Sequence, residues 1–193
     1  MAAPMRMIVV MLVITSVSEL CCFILVCFHK YTARLSIYHF YNIVQAILIT
    51  SFFIFAIKPE RNKKISIINI LFWILAGIVN LLFFQPLNKL NSNMLILESF
   101  FIITFSLYFI YNTLKSDITD NIFGQINFRM ALILLVYWSS NMFFWAFIKV
   151  LNGMHWKHIG ELIYIQAIFE IVVYVSTAFV IFDSTRKKVI NGE

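Results

Sequence analysis

Apolar runs of eighteen or more residues recur along this chain, and no other sequence feature narrows its fold as much. Only helices satisfy their own backbone hydrogen bonds over such a run in lipid. With 62% hydrophobic and 12% charged residues among 193, the chain is too apolar for a soluble domain of this length. The expected fold is all-α, a polytopic transmembrane helical bundle in one domain, 1–193. Six helices are expected near 6–28, 37–57, 65–85, 93–115, 128–151 and 160–182. The links His29–Ser36, Lys58–Lys64, Gln85–Ser92, Ser116–Ile126 and Asn152–His158 hold Pro, Gly, Asn or charge.

The distribution of basic residues predicts orientation. With the N-terminus in the cytoplasm, the inner side holds Arg6, Lys58, Arg61, Lys63, Lys64, Lys115, Arg129, Arg186, Lys187 and Lys188. The outer side holds Lys30, Arg34, Lys89, Lys149 and Lys157. Ten against five follows the positive-inside bias, so both termini are expected in the cytoplasm. The same placement gives the net charge of +6 a plain meaning: contact with anionic headgroups of the lipid bilayer rather than with nucleic acid.

Within that frame the stretch Gln85–Tyr111 stands out. A polar loop with Asn88, Asn91, Ser92 and Asn93 runs into some twenty mostly apolar residues that carry one carboxylate, Glu98. A charge at mid-bilayer costs about 2.5–3.5 kcal/mol on insertion scales, so such an acid needs a partner or a task. Asn91 and Glu98 are seven residues apart and share a helical face. Further polar residues within apolar segments are Glu19, Gln45, Asn80, Asn141, Gln166 and Glu170. Gln166, Glu170 and Tyr174 form one stripe, and Tyr41–Gln45 and Tyr137–Asn141 form shorter ones. The expectation is an outward-facing polar pocket lined by Glu98, Glu170, Gln166, Gln45, Asn91, His39 and Asn141, with Glu19 at its floor. The bland alternative is that these groups only hydrogen-bond between helices, at roughly 0.6 kcal/mol apiece.

No chemistry-bearing motif competes with that reading. His39, His155 and His158 are expected at the outer interface, and no spacing builds a metal site from them. No zinc-protease helix motif, nucleophile elbow or phosphate-binding loop is present, so neither a cofactor nor catalysis is expected. Cys21, Cys22 and Cys27 are expected to be small packing residues. The first apolar run continues to Phe28 without a small-residue cleavage site, so a retained first helix is expected. Twenty-one Phe against five Gly predict packing through aromatic and β-branched surfaces instead of tight glycine crossings.

The series PMRMIVVMLVITSVSEL, YHFYNIVQAIL, QPLNKLNSNMLILES, FRMALILLVYWSSN and IQAIFEIVVYV resembles a family of small bacterial multi-pass inner-membrane proteins. Its most specific part is QPLN…NSN…ES, Gln85 to Ser99. The resemblance implies a helical bundle without assigned chemistry, often with one more N-terminal helix, so that the six helices here would be a seven-helix plan lacking its first. Gln45, Gln166 and Glu170 depart from that family's pattern. A faint internal echo fits the seven-helix count: Glu19 precedes Gln45 by 26 residues, and Asn141 precedes Gln166 by 25.

Three functions follow. The first is a sensor or interaction module, binding a small or lipidic ligand and relaying it to a cytoplasmic or membrane signalling partner. The second is a small-solute transporter, proton-coupled through intramembrane glutamates that have no intramembrane Lys or Arg beside them. The third, an enzyme on lipid substrates, needs clustered acids with a metal or nucleophile, and the acids are scattered.

Overall fold

The computed structural model describes residues 3–57, 62–116, 122–153 and 159–190. Those residues form six helices and no strand: α1 (Ala3–Cys27), α2 (Tyr31–Ile57), α3 (Asn62–Val79), α4 (Ser92–Lys115), α5 (Ile126–Gly153) and α6 (Ile159–Ile190). A π-helical turn, Asn80–Phe84, prolongs α3. All six contain a stretch long and apolar enough to cross a membrane. Their surfaces agree: Ile67, Ile68, Leu71, Leu75, Leu82 and Phe83 on the third span are exposed, as a lipid-facing helix requires. The chain is a multi-pass integral membrane protein.

The helix ends differ from expectation in two places. The link after α1 is a three-residue turn, so α2 begins at Tyr31 instead of near 37. The reason is local. Lys30 N–H bonds the carbonyl of Leu25 at 2.8 Å and His29 N–H bonds that of Val26 at 3.0 Å, with His29 at φ 56°. That is a Schellman closure with histidine in the left-handed position that glycine usually fills. At the other end of the chain, α6 runs to Ile190, past the expected end near 182, while its membrane-length stretch stops at Asp183.

The chain divides into two compact units, Met1–Phe101 and Ile102–Glu193, with the boundary inside α4. In the first, α1 packs on α2 and α2 on α3. Its apolar centre is Ala46, Trp73 and Met94, walled by Ile43, Ile47, Ala76, Leu97 and Phe101. Trp73 meets Phe101 edge-on at 5.5 Å and Phe72 lies 5.1 Å from the same ring, which is the aromatic packing the phenylalanine count predicts. Gly77 is the one glycine here whose lack of a side chain matters, since a Cβ there would meet Ile43 of α2.

In the second unit α5 packs on α6. Tyr137 stacks on Phe169 with centroids 6.3 Å apart. Arg129 Nη1 pairs with Asp183 Oδ2 at 2.9 Å, joining the start of α5 to the last residue of the sixth span.

Candidate functional site

Each unit holds its own polar set. In the first, the loop 85–91 is held against the start of α4 by side chains from two helices. Gln85 Oε1 accepts the Asn93 N–H at 3.0 Å and Gln85 Nε2 donates to Ser92 Oγ at 2.9 Å. The unpaired N–H groups that open a helix need such partners, and Gln85 supplies one from outside the helix. Asn80, at the head of the π-helical turn, donates to Asn91 Oδ1 at 2.7 Å. Pro86 then stops the preceding helix. The segment QPLN…NSN is therefore a cap on α4.

His39 completes the cap and corrects an expectation. Because α2 starts at Tyr31, His39 lies two turns inside the helix instead of at its surface end. It is 5% exposed, and its Nε2 donates to the Lys89 carbonyl at 3.0 Å. Asn42 and Gln45 follow at three-residue steps along α2 and are also buried. The next residue, Ala46, packs in one cluster with Met94 of α4, and Glu98 lies one turn beyond Met94.

Glu98 has no exposed surface. Both of its carboxylate oxygens are buried without a hydrogen-bond partner among the described residues. It sits on a stripe of α4 in which Met94, Glu98, Ile102, Ser106 and Phe109 are all buried. Its immediate neighbour Ser99 is bonded back to the Leu95 carbonyl at 2.6 Å and does not serve it.

Glu19 is placed differently from its expected position at a pocket floor. Its side chain is exposed, and the hydroxyl of Tyr38 lies 3.2 Å and 3.1 Å from its two oxygens. Nearby, Thr15 and Tyr41 share a buried hydrogen bond at 2.8 Å.

In the second unit the two stripes seen in the sequence face each other. Gln166 Nε2 donates to Asn141 Oδ1 at 2.6 Å and approaches Glu170 Oε1 at 3.5 Å. Tyr137 Oη reaches the same Glu170 oxygen at 3.4 Å, and the Tyr174 ring lies 6.5 Å from that of Tyr137. Asn141, Gln166, Glu170 and Tyr137 thus form one hydrogen-bonded ladder between α5 and α6. The echo between the two helix pairs does not extend to these contacts. Asn141 and Gln166 bond each other, whereas Glu19 takes Tyr38 as its partner and not Gln45.

Asn69 of α3 anchors a further polar cluster, one outside the polar residues expected to matter. Its Oδ1 accepts from Thr50 Oγ1 at 2.8 Å, and its Nδ2 reaches Ser51 Oγ at 3.2 Å and the Ile47 carbonyl at 3.3 Å. Trp73 Nε1 adds a bond to Thr50 at 3.1 Å. The signal was the four-residue spacing of Asn69 and Trp73, which puts an amide and an indole N–H on one face.

The described residues contain no group of three or more His, Cys, Asp or Glu able to hold a metal ion. His155 and His158 lie outside them, as does the side chain of Lys149. The three cysteines are free, Cys22 buried and Cys21 and Cys27 exposed. No family model, curated protein or solved structure matches the chain.

Proposed function

We propose that this protein is a membrane sensor or interaction module whose small or lipidic ligand is recognised at Glu98. One observation carries the reading: Glu98 is fully buried, and neither carboxylate oxygen meets a donor among the described residues. A buried polar group left without a partner costs about 1–3 kcal/mol, more when charged. A ligand hydroxyl or amine delivered to Glu98 would recover that cost. Asn42 and Gln45 of α2 add buried polar side chains to the same unit, beside Ala46, which packs with Met94 of α4. In this reading the protein sits in a bacterial inner membrane with both termini in the cytoplasm, following its basic-residue bias and its resemblance to the small multi-pass family. A separate cytoplasmic or membrane protein carries the output.

The test is native mass spectrometry of the protein extracted gently from its own membrane, beside the Glu98→Gln variant. The reading expects a bound small molecule on the natural chain that is missing from the variant. The same adduct on both proteins overturns it.

A second reading rests on the same acid. Glu98 forms no ion pair with the described Lys and Arg residues, so a proton is the simplest species that neutralises it. That supports proton-coupled transport of a small solute. In proteoliposomes Glu98→Gln then abolishes solute-driven proton uptake; unchanged uptake excludes the coupling role.

A further inference from the structure

Glu19 poses a different problem from Glu98. It is on a membrane-spanning helix, yet its side chain is exposed. Ser16 and Phe23, one turn to either side, are exposed too, and the surrounding surface of α1 presents Val13, Val17 and Leu20. A carboxylate on such a face meets hydrocarbon unless another polar group covers it, and intramembrane acids almost always face protein or water.

The carboxylate is also held in place. Tyr38 of α2 lies within hydrogen-bond reach of both its oxygens, but a phenol has one proton and serves one oxygen at a time. An ionised carboxylate accepts at about four lone-pair positions, so most of its capacity is unused. The guanidinium of Arg34 lies 5.5 Å from the centroid of the Tyr38 ring. Arg34 therefore stands on the same side of the α1–α2 pair, one turn nearer the loop. Glu19 and Arg34 each engage Tyr38 but form no ion pair with each other or with another described residue.

An acid and a base set side by side, both touching Tyr38 but in no ion pair with each other, make a self-complementary patch. A two-fold axis along the membrane normal sets the acid of one copy against the base of the other, twice over. The long Arg stem spans the one-turn difference in depth. We propose that the α1–α2 face carrying Glu19 and Arg34 is the docking surface for a second copy of this chain. The exposed apolar residues around it supply the packing, and the two crossed Glu19–Arg34 pairs fix the register. The inference is independent of any role for Glu98.

Counting photobleaching steps of the labelled full chain, diluted in lipid bilayers, tests it. The natural chain is expected to be dimeric. Glu19→Arg and Arg34→Glu, each alone, put like charges in both crossed positions and should weaken self-association at least tenfold. Mixed together, the two variants regain opposite charges at both positions and should form a mixed dimer as readily as the natural chain does. Recovery on mixing also shows that both variants fold. Glu19→Gln and Arg34→Gln, which keep shape and lose charge, should weaken the dimer to a lesser degree. A natural chain that stays monomeric, single variants that dimerise normally, or single variants that fail to recover on mixing each overturn the proposal.

Discussion

Glu98 and Glu170 are both acids on membrane-spanning helices, and the protein treats them in opposite ways. Glu170 joins a ladder with Tyr137, Gln166 and Asn141 across the α5–α6 contact. Glu98 lies in a unit of close aromatic packing and has neither oxygen satisfied among the described residues. Buried polar groups in folded proteins are hydrogen-bonded as a rule, and each exception calls for an explanation. The difference teaches where to look: the networked acid explains itself through helix pairing, whereas the lone acid costs stability that helix pairing does not return.

The contrast breaks down if the first unit is loosely packed, because a loose interior admits water to Glu98. Gly77→Val tests this most strongly, since the added carbons meet Ile43 of α2. Overpacking a tight contact costs about 1–3 kcal/mol, so unfolding in mild detergent should shift by that amount. No change would reveal slack between α2 and α3. Asn69→Leu comes next. It removes the acceptor of Thr50 and the donor to Ser51, and it should destabilise by about 1 kcal/mol in the same assay. A double-mutant cycle on Asn141→Ala and Gln166→Ala sharpens the other side of the comparison. The expected coupling is about 0.6 kcal/mol and at most about 1.7 kcal/mol. A coupling near zero would mean that the ladder holds nothing together. His29→Gly is the smallest effect. It relieves a left-handed residue at the α1 closure and should stabilise by about 0.3 kcal/mol, by thermal unfolding.

Much of this architecture is legible in the residues because lipid leaves few options. Helix number follows from apolar runs alone, and the Tyr137–Asn141 and Gln166–Glu170–Tyr174 stripes meet because four-residue spacing fixes one face. The α1 closure was not legible. Histidine in a left-handed cap carries no sequence signal of the kind glycine gives, so the residues alone do not reveal that α2 starts at Tyr31 and buries His39. The cap on α4 was half visible. Gln85 and Asn91 were recognisable as loop residues, but their pairing with Ser92, Asn93 and Asn80 depends on how the π-helical turn aims the chain. Asn69 is not legible because one amide in an isoleucine-rich helix resembles a tolerated polar residue, and its partners lie on α2. Glu98 was the reverse case: its cost is plain from composition, while its lack of a partner is a property of the fold.

The most direct test of the account is the stability of Glu98→Leu, measured by reversible unfolding in micelles cleared of co-extracted small molecules. A leucine of similar size removes the lone carboxyl and leaves the α4 stripe apolar throughout. If Glu98 is kept for a ligand, the variant should be as stable as the natural chain or more stable, by about 1–3 kcal/mol. A loss of stability of similar size would show that the carboxyl holds the helices together, and it would contradict the assignment of Glu98 as the binding group.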